Sequence, residues 1–145
     1  MIKVKIKQMK DGRHPLPKYA TKGSAGMDFY AYLERPATIN PGARSLIPLG
    51  VGVAIPEGYE LQLRPRSGLA LNKGITLNNA PGTIDCDYRG ELGAIIINHS
   101  KDVVVIEDGT KICQGVFNKF EEAEFEEVTS LDETERGSGG YGSTN

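Results

Sequence analysis

The chain holds little of what usually marks a metal centre or a disulfide framework: two cysteines and two histidines in 145 residues. Cys86 and Cys113 show no zinc-type spacing. Without a secretory signal, they read as free thiols that pack like small apolar residues. His14 and His99 lack ligand-like neighbours and read as surface or hydrogen-bonding residues. No apolar run approaches a membrane span. Met1 to Lys7 alternates Ile2, Val4 and Ile6 with lysines and lacks the apolar stretch of a signal peptide, so the cytoplasm is the expected location. An excess of one charge is also missing: 17 basic and 19 acidic side chains leave a formal net charge of -2. That argues against a general nucleic-acid binder, which needs a basic face. It leaves room for a local basic pocket that takes a small anion. Long helical periods are hard to sustain between 18 glycines and 8 prolines spread along the chain.

What remains is a chain of one-domain size with a period-2 pattern. Ile2, Val4 and Ile6 predict a half-buried strand whose lysines protect an edge. Further strands are predicted at Met27–Ala31, Arg44–Leu49, Gly50–Ile55, Tyr59–Arg64, Ile75–Leu77, Glu91–Asn98, Val103–Ile106 and Lys111–Phe120. Glu121 to Glu127 also reads as a strand, with Ala123 and Phe125 on one face. Ser67 to Asn72 is the one short helix, with Ser67 as its cap. Short strands punctuated by turns predict an all-β, jelly-roll-like barrel. Residues 1–135 are expected to form one domain, and residues 136–145 a mobile, Gly-rich C-terminal segment.

Charged and polar residues collect in five places. The densest is Gly82-Thr83-Ile84-Asp85-Cys86-Asp87-Tyr88-Arg89-Gly90-Glu91. On a strand, Asp85 and Asp87 would share a face. Alone, this segment reads first as the wet face of a hairpin and only second as a site beside a cation. Asp28 follows a tight turn at Ala25-Gly26. Arg64, Arg66 and Ser67 stand where free amides of a helix start favour an anion. Lys111 and Gln114 place a charge and an amide within a strand. Arg136 to Thr144 combines a guanidinium, glycine amides, hydroxyls and the ring of Tyr141. Arginines, hydroxyls and glycine amides are polyphosphate donors. Carboxylates beside a polyphosphate call for a divalent cation, usually Mg²⁺. An aromatic ring on the tail could stack on a base. Together these features point to a nucleoside triphosphate with Mg²⁺, although no Walker-type loop is present.

The five stretches, in this order and spacing, resemble the five motifs of the homotrimeric dUTP pyrophosphatases. Ala25–Ala31 is similar to the first motif, Pro65–Ala70 to the second, Gly82–Glu91 to the third, Gly109–Val116 to the fourth and Arg136–Thr144 to the fifth. The resemblance implies a jelly-roll barrel assembled as a threefold homotrimer, with active sites shared between subunits. It implies that Asp85 activates the water that attacks the α-phosphorus of dUTP, releasing dUMP and pyrophosphate. This reaction clears dUTP from the nucleotide pool and supplies dUMP for thymidylate synthesis. Asn79 and the backbone of Gly82, Thr83 and Ile84 would read uracil, and Tyr88 would exclude a ribose 2′-hydroxyl. Asp28 would hold Mg²⁺ through water. Arg66, Ser67, Gly68 and Gln114 would bind phosphates. Residues 136–145 would be a flexible lid, in which Arg136, Gly142, Ser143 and Thr144 close over the γ-phosphate, with Tyr141 stacked on the base.

Two motifs depart from the family pattern. Tyr141 stands where Phe is common, which preserves stacking. Lys111-Ile112-Cys113-Gln114 replaces Arg-Ile-Ala-Gln, and a lysine keeps the charge but loses the bidentate fork. Cys86 should face away from its flanking carboxylates, and Asp87 is left for a structural salt bridge. A dCTP deaminase, a relative of the same fold, would need a positioned acid/base, usually Glu. A nucleotide-sensing or protein-binding module without turnover would have lost part of this constellation.

Overall fold

The computed structural model describes residues 1–140. Among them the chain forms β1 (Lys5–Gln8), β2 (Met27–Tyr30), β3 (Ala37–Ile39), β4 (Arg44–Pro48), β5 (Val51–Ala54), β6 (Tyr59–Arg64), α1 (Ser67–Lys73), β7 (Ile75–Leu77), β8 (Gly82–Ile84), β9 (Gly93–Asn98), β10 (Val104–Ile106) and β11 (Lys111–Lys119). Every ladder between these strands is antiparallel. The largest sheet has the order β2-β11-β6-β8; β4-β9-β7 forms a second, and β1-β5 and β3-β10 are two-stranded. The result is the all-β, jelly-roll-like architecture that the period-2 pattern predicts, with one short helix. No helix among the described residues is long and apolar enough to cross a membrane.

Alternation drives the core. Along β9, Ala94, Ile96 and Asn98 are buried while Gly93, Ile95 and Ile97 are partly covered. Leu61, Leu63, Ile75, Leu77, Ile39 and Ile106 join them from neighbouring strands. Each such side chain contributes about 1.5–3 kcal/mol on leaving water. The buried polar exception is Asn98, and its amide is fully employed. Its Nδ2 donates to the carbonyls of Ile39 and Asp102, and its Oδ1 accepts from the amide and hydroxyl of Ser100. Both cysteines are free; Cys113 is buried, and burial pushes its thiol up to about 12.

Three local expectations change. The N-terminal strand begins at Lys5, and all four of its residues are exposed, because its register is set by pairing with β5 alone. Ser67 is the first helical residue and not the cap. Arg66 occupies the cap position with an extended backbone, and no side chain caps the helix. Glu121–Glu127 is exposed and forms no strand, and none of the described strands pairs with it. One short strand, β3 at Ala37–Ile39, is not among those the sequence predicts.

The loop from Asp11 to Pro17 is fastened to the turn before β11. Asp108 accepts the Leu33 amide at 2.8 Å and Arg13 Nε at 3.0 Å, and lies 2.9 Å from His14 Nε2. Arg13 also lies over the Tyr32 ring, 3.9 Å from its centroid, and the Tyr32 hydroxyl donates to Asp11 at 2.6 Å. Partial burial pushes the Asp108 carboxyl up, but the Leu33 amide, His14 and Arg13 outweigh it and hold the group at about 2, below the ordinary 3.8. A carboxyl that binds its proton less readily when folded stabilises fully above its unfolded value. That stabilisation is lost as pH falls from about 4 through about 2. Asp108→Asn should therefore flatten the acid limb of a stability–pH curve in this window, as measured by circular dichroism. An unchanged slope would remove Asp108 from the clamp.

Candidate active site

β8 stops at Ile84, and the chain then turns. The Tyr88 amide donates to the Asp85 carbonyl at 3.2 Å, which makes Cys86 and Asp87 the centre of a reverse turn. Asp85 and Asp87 are therefore not strand neighbours on one face, contrary to the sequence pattern. The turn nevertheless separates polar from apolar side chains. Asp85, Asp87 and Tyr88 are exposed, while Cys86 packs against the core, away from both carboxylates. Asp87 joins no ion pair among the described residues, so the expected salt bridge is not made. Its basic neighbour is spent on the turn, because Arg89 donates to the carbonyls of Cys86 (2.6 Å) and Tyr88 (2.8 Å).

The ring of Tyr88 folds back across the turn, with its hydroxyl donating to the Glu91 carbonyl at 3.0 Å. Gly90 makes this possible. A Cβ there would overlap the Tyr88 hydroxyl and lie 2.5 Å from Cζ. The Glu91 side chain ties the hairpin base to the β4–β5 turn by accepting the Gly50 amide at 3.0 Å. Thr83, Ile84, Asp85 and Tyr88 thus line one open cleft of about 350 Å³, walled by Leu46 and Pro48 of β4. Leu46 and Pro48 carried no sequence signal, since they reach the cleft from some forty residues upstream. Asn79 and Gly82 sit against one another at the start of β8, and neither lines this cleft.

A second cluster forms at the opposite edge of the same sheet. Asp28 on β2 pairs in register with Gln114 on β11, which pairs with Arg64 on β6. Arg66 Nε meets Asp28 Oδ1 at 2.9 Å, and Lys111 Nζ meets Asp28 Oδ2 at 3.0 Å. Arg66 also donates to the Lys111 carbonyl, and Gln114 Nε2 donates to the Pro65 carbonyl, both at 3.0 Å. Gly26 admits the Gln114 amide, because a Cβ there would overlap its oxygen. Ser67 and Gly68 open α1, and both are exposed. Their amides belong to the first turn, which has no intrahelical acceptors. The sequence-predicted phosphate donors Arg66, Ser67, Gly68 and Gln114 therefore stand together, around Asp28.

The two clusters are not adjacent. Ile84 pairs with Leu61, three residues along β6 from Arg64, and β8 lies three strands from β2. From strand rise and spacing, Ile84 and Asp28 are roughly 17 Å apart. Arg136 joins neither cluster, since its Nε donates to the Gly139 carbonyl at 2.9 Å. Tyr141, Gly142, Ser143 and Thr144 fall outside the described residues.

Among the described residues no three His, Cys, Asp or Glu side chains converge. The described residues thus offer no all-protein metal cage. Asp28 is a single carboxylate, partly exposed and beside phosphate-type donors. That set fits Mg²⁺ in its usual enzymic form, with retained waters and phosphate oxygens as the other ligands.

Comparison with known proteins identifies the family and the fold. The dUTPase family model matches residues 13–145. The deoxyuridine 5′-triphosphate nucleotidohydrolase of Finegoldia magna is 51% identical, over 97% of this chain and 99% of that protein. Its counterpart in Rickettsia massiliae is 53% identical, over 99% of this chain and 97% of that protein. Among solved structures, the Staphylococcus bacteriophage 80alpha dUTPase with dUpNHpp superposes with a TM-score of 0.85 at 24% identity, over 100% of this chain and 99% of that one. A mutant dUTPase from phage phi11 of S. aureus, with a structural Mg(II) ion, superposes with a TM-score of 0.78 at 22% identity, over 91% of this chain and 100% of that one. The match spans the hairpin, the Asp28 cluster and the tail alike, and the chain belongs to the dUTPase family.

Proposed function

We propose that this chain is a dUTP diphosphatase that hydrolyses dUTP to dUMP and pyrophosphate. The carrying observation is identity of 51–53% over 97–99% of the chain to deoxyuridine 5′-triphosphate nucleotidohydrolases. Asp85, exposed at the mouth of the hairpin cleft, takes a proton from water. The water oxygen bonds the α-phosphorus, and the bond from that phosphorus to the bridging oxygen breaks. Pyrophosphate leaves, and the proton rests on Asp85. Asp85 does no covalent work, so rate comes from positioning and charge neutralisation. The hairpin at Thr83 and Ile84, with Asn79 and Gly82, reads uracil. Thymine is rejected by its methyl, and cytosine by its reversed donor–acceptor pair. Arg66, Ser67, Gly68 and Gln114 hold phosphates. When bound with the triphosphate, Mg²⁺ would neutralise phosphate charge, held to Asp28 through water. The segment 136–145 closes as a lid, with Arg136, Gly142, Ser143 and Thr144 on the γ-phosphate and Tyr141 on the base.

The site is read as shared between copies in a homotrimer. The separation of Asp85 from the Asp28 cluster supports this, because one triphosphate needs both sets of groups at its reacting end. The arm after β11 supports it too. Phe125 is 97% exposed and Leu131 is 84% exposed among the described residues.

Pyrophosphate release should be strong with dUTP and weak with dTTP, dCTP and UTP. Asp85→Asn and a chain ending at Glu135 should both lose most of it, while the Asn variant still binds nucleotide. Ammonia released from dCTP, or parent-like turnover by Asp85→Asn, would overturn this reading. Gly90→Ala should displace the Tyr88 ring and narrow the dUTP/UTP preference in kcat/KM by about tenfold, the scale of a modest misfit in a specificity pocket. An unaltered ratio would take sugar discrimination away from that ring. Refolding Asp85→Asn together with Arg66→Ala should restore activity that neither inactive variant has alone. A mixture as inactive as its parts would refute the shared site.

A further inference from the structure

The proposed reaction leaves Lys111 without a role, yet the fold takes trouble to place it. Lys111 and Gln114 are three residues apart, so on a regular strand they would point to opposite faces. A register shift between Lys111 and Cys113 changes that. Lys111 pairs with Tyr30 and Gln114 with Asp28, so three steps on β11 match two on β2. The extra residue brings Lys111 and Gln114 to the Asp28 face, and bulges of this kind commonly re-aim a side chain beside an active site.

The two cations on Asp28 are not equivalent. Arg66 is tethered twice, to Asp28 Oδ1 and to the Lys111 carbonyl. Lys111 touches Asp28 through Nζ alone, and its side chain is 47% exposed. Arg66 can leave only by breaking both bonds. Lys111 needs only new rotamers of a flexible stem that ends in a compact charge. One carboxylate neutralises one of these two cations, so the cluster carries a surplus positive charge that faces solvent.

We propose that Lys111 is a swinging phosphate-side cation: it holds Asp28 Oδ2 in the free protein and moves to the triphosphate when nucleotide binds, releasing Oδ2 to a hydrated divalent cation. The inference rests on the reading above that the triphosphate lies along Arg66 and Gln114. It makes Lys111 a competitor of Mg²⁺ for Asp28 in the free protein. Nucleotide and metal binding are then coupled through one side chain, and the coupling acts equally in both directions.

Calorimetric titration of the full chain with the analogue dUpNHpp, in EDTA and in Mg²⁺, tests this without turnover. Lys111→Gln should weaken analogue binding by about threefold or less in EDTA, where the phosphate contact Lys111 gains is offset by the Asp28 contact it gives up. In saturating Mg²⁺ the loss should grow to about tenfold, the scale of one charge-assisted phosphate contact, because the metal has already taken Lys111 off Asp28. Lys111→Arg should stay near the parent in both buffers. Equal losses with and without Mg²⁺, or no loss, would overturn the swing and leave Lys111 a fixed counter-ion. A misfolded Gln variant is recognised by its lost circular dichroism, and Lys111→Met then replaces it under the same criteria. A parent chain that binds no analogue in either buffer would instead refute the nucleotide site itself.

Discussion

Everything in this molecule hangs on the register of β6. It pairs with β11 from Arg64↔Gln114 to Tyr59↔Lys119, and on its other side with β8 from Leu63↔Gly82 to Leu61↔Ile84. A slip of one residue on either side would turn Leu61 and Leu63 out of the core and invert every polar side chain beside them. The buried pair, at 0% and 2% exposure, makes that slip costly. The same register that protects the core therefore fixes where the hairpin cleft and the Asp28 cluster stand. It also fixes their separation, on which the proposed sharing of the site between copies rests.

Electrostatics divides along the same lines. Around Asp28 the fold gathers positive charge, with the carboxylate serving two cations rather than one. Among the described residues Asp85 joins no ion pair, and Arg89, four residues on, is turned onto backbone carbonyls. A carboxylate kept clear of counter-ions suits a proton acceptor, and one wrapped in them suits a place where anion and metal meet. The two aspartates are the same residue type, and the contrast in their surroundings supports the different work proposed for them.

Most of the architecture was legible in the chain. Strands of five or more residues showed their period, and the Gly and Pro between them showed the turns. The misreadings are instructive. Glu121–Glu127 has the alternation of a strand, but alternation needs a partner, and none of the described strands pairs with it. Ser67 has a capping side chain, but the turn before it is governed by the pull of Asp28 on Arg66. Asp87 looked as conspicuous as Asp85, and the reverse turn at Cys86-Asp87 separated their surroundings.

The amino-acid sequence by itself determined the fold class, the family and the inventory of polar groups, because these follow from local periodicity and from motifs that are short and contiguous. Tertiary structure alone decided which of those groups meet. Leu46 joins Asp85, Glu91 joins Gly50, and a bulge carries Lys111 to the side of the sheet that Gln114 shares with Asp28. Such meetings depend on strand register and on one extra residue in a ladder, and neither is a property of any stretch of chain taken alone.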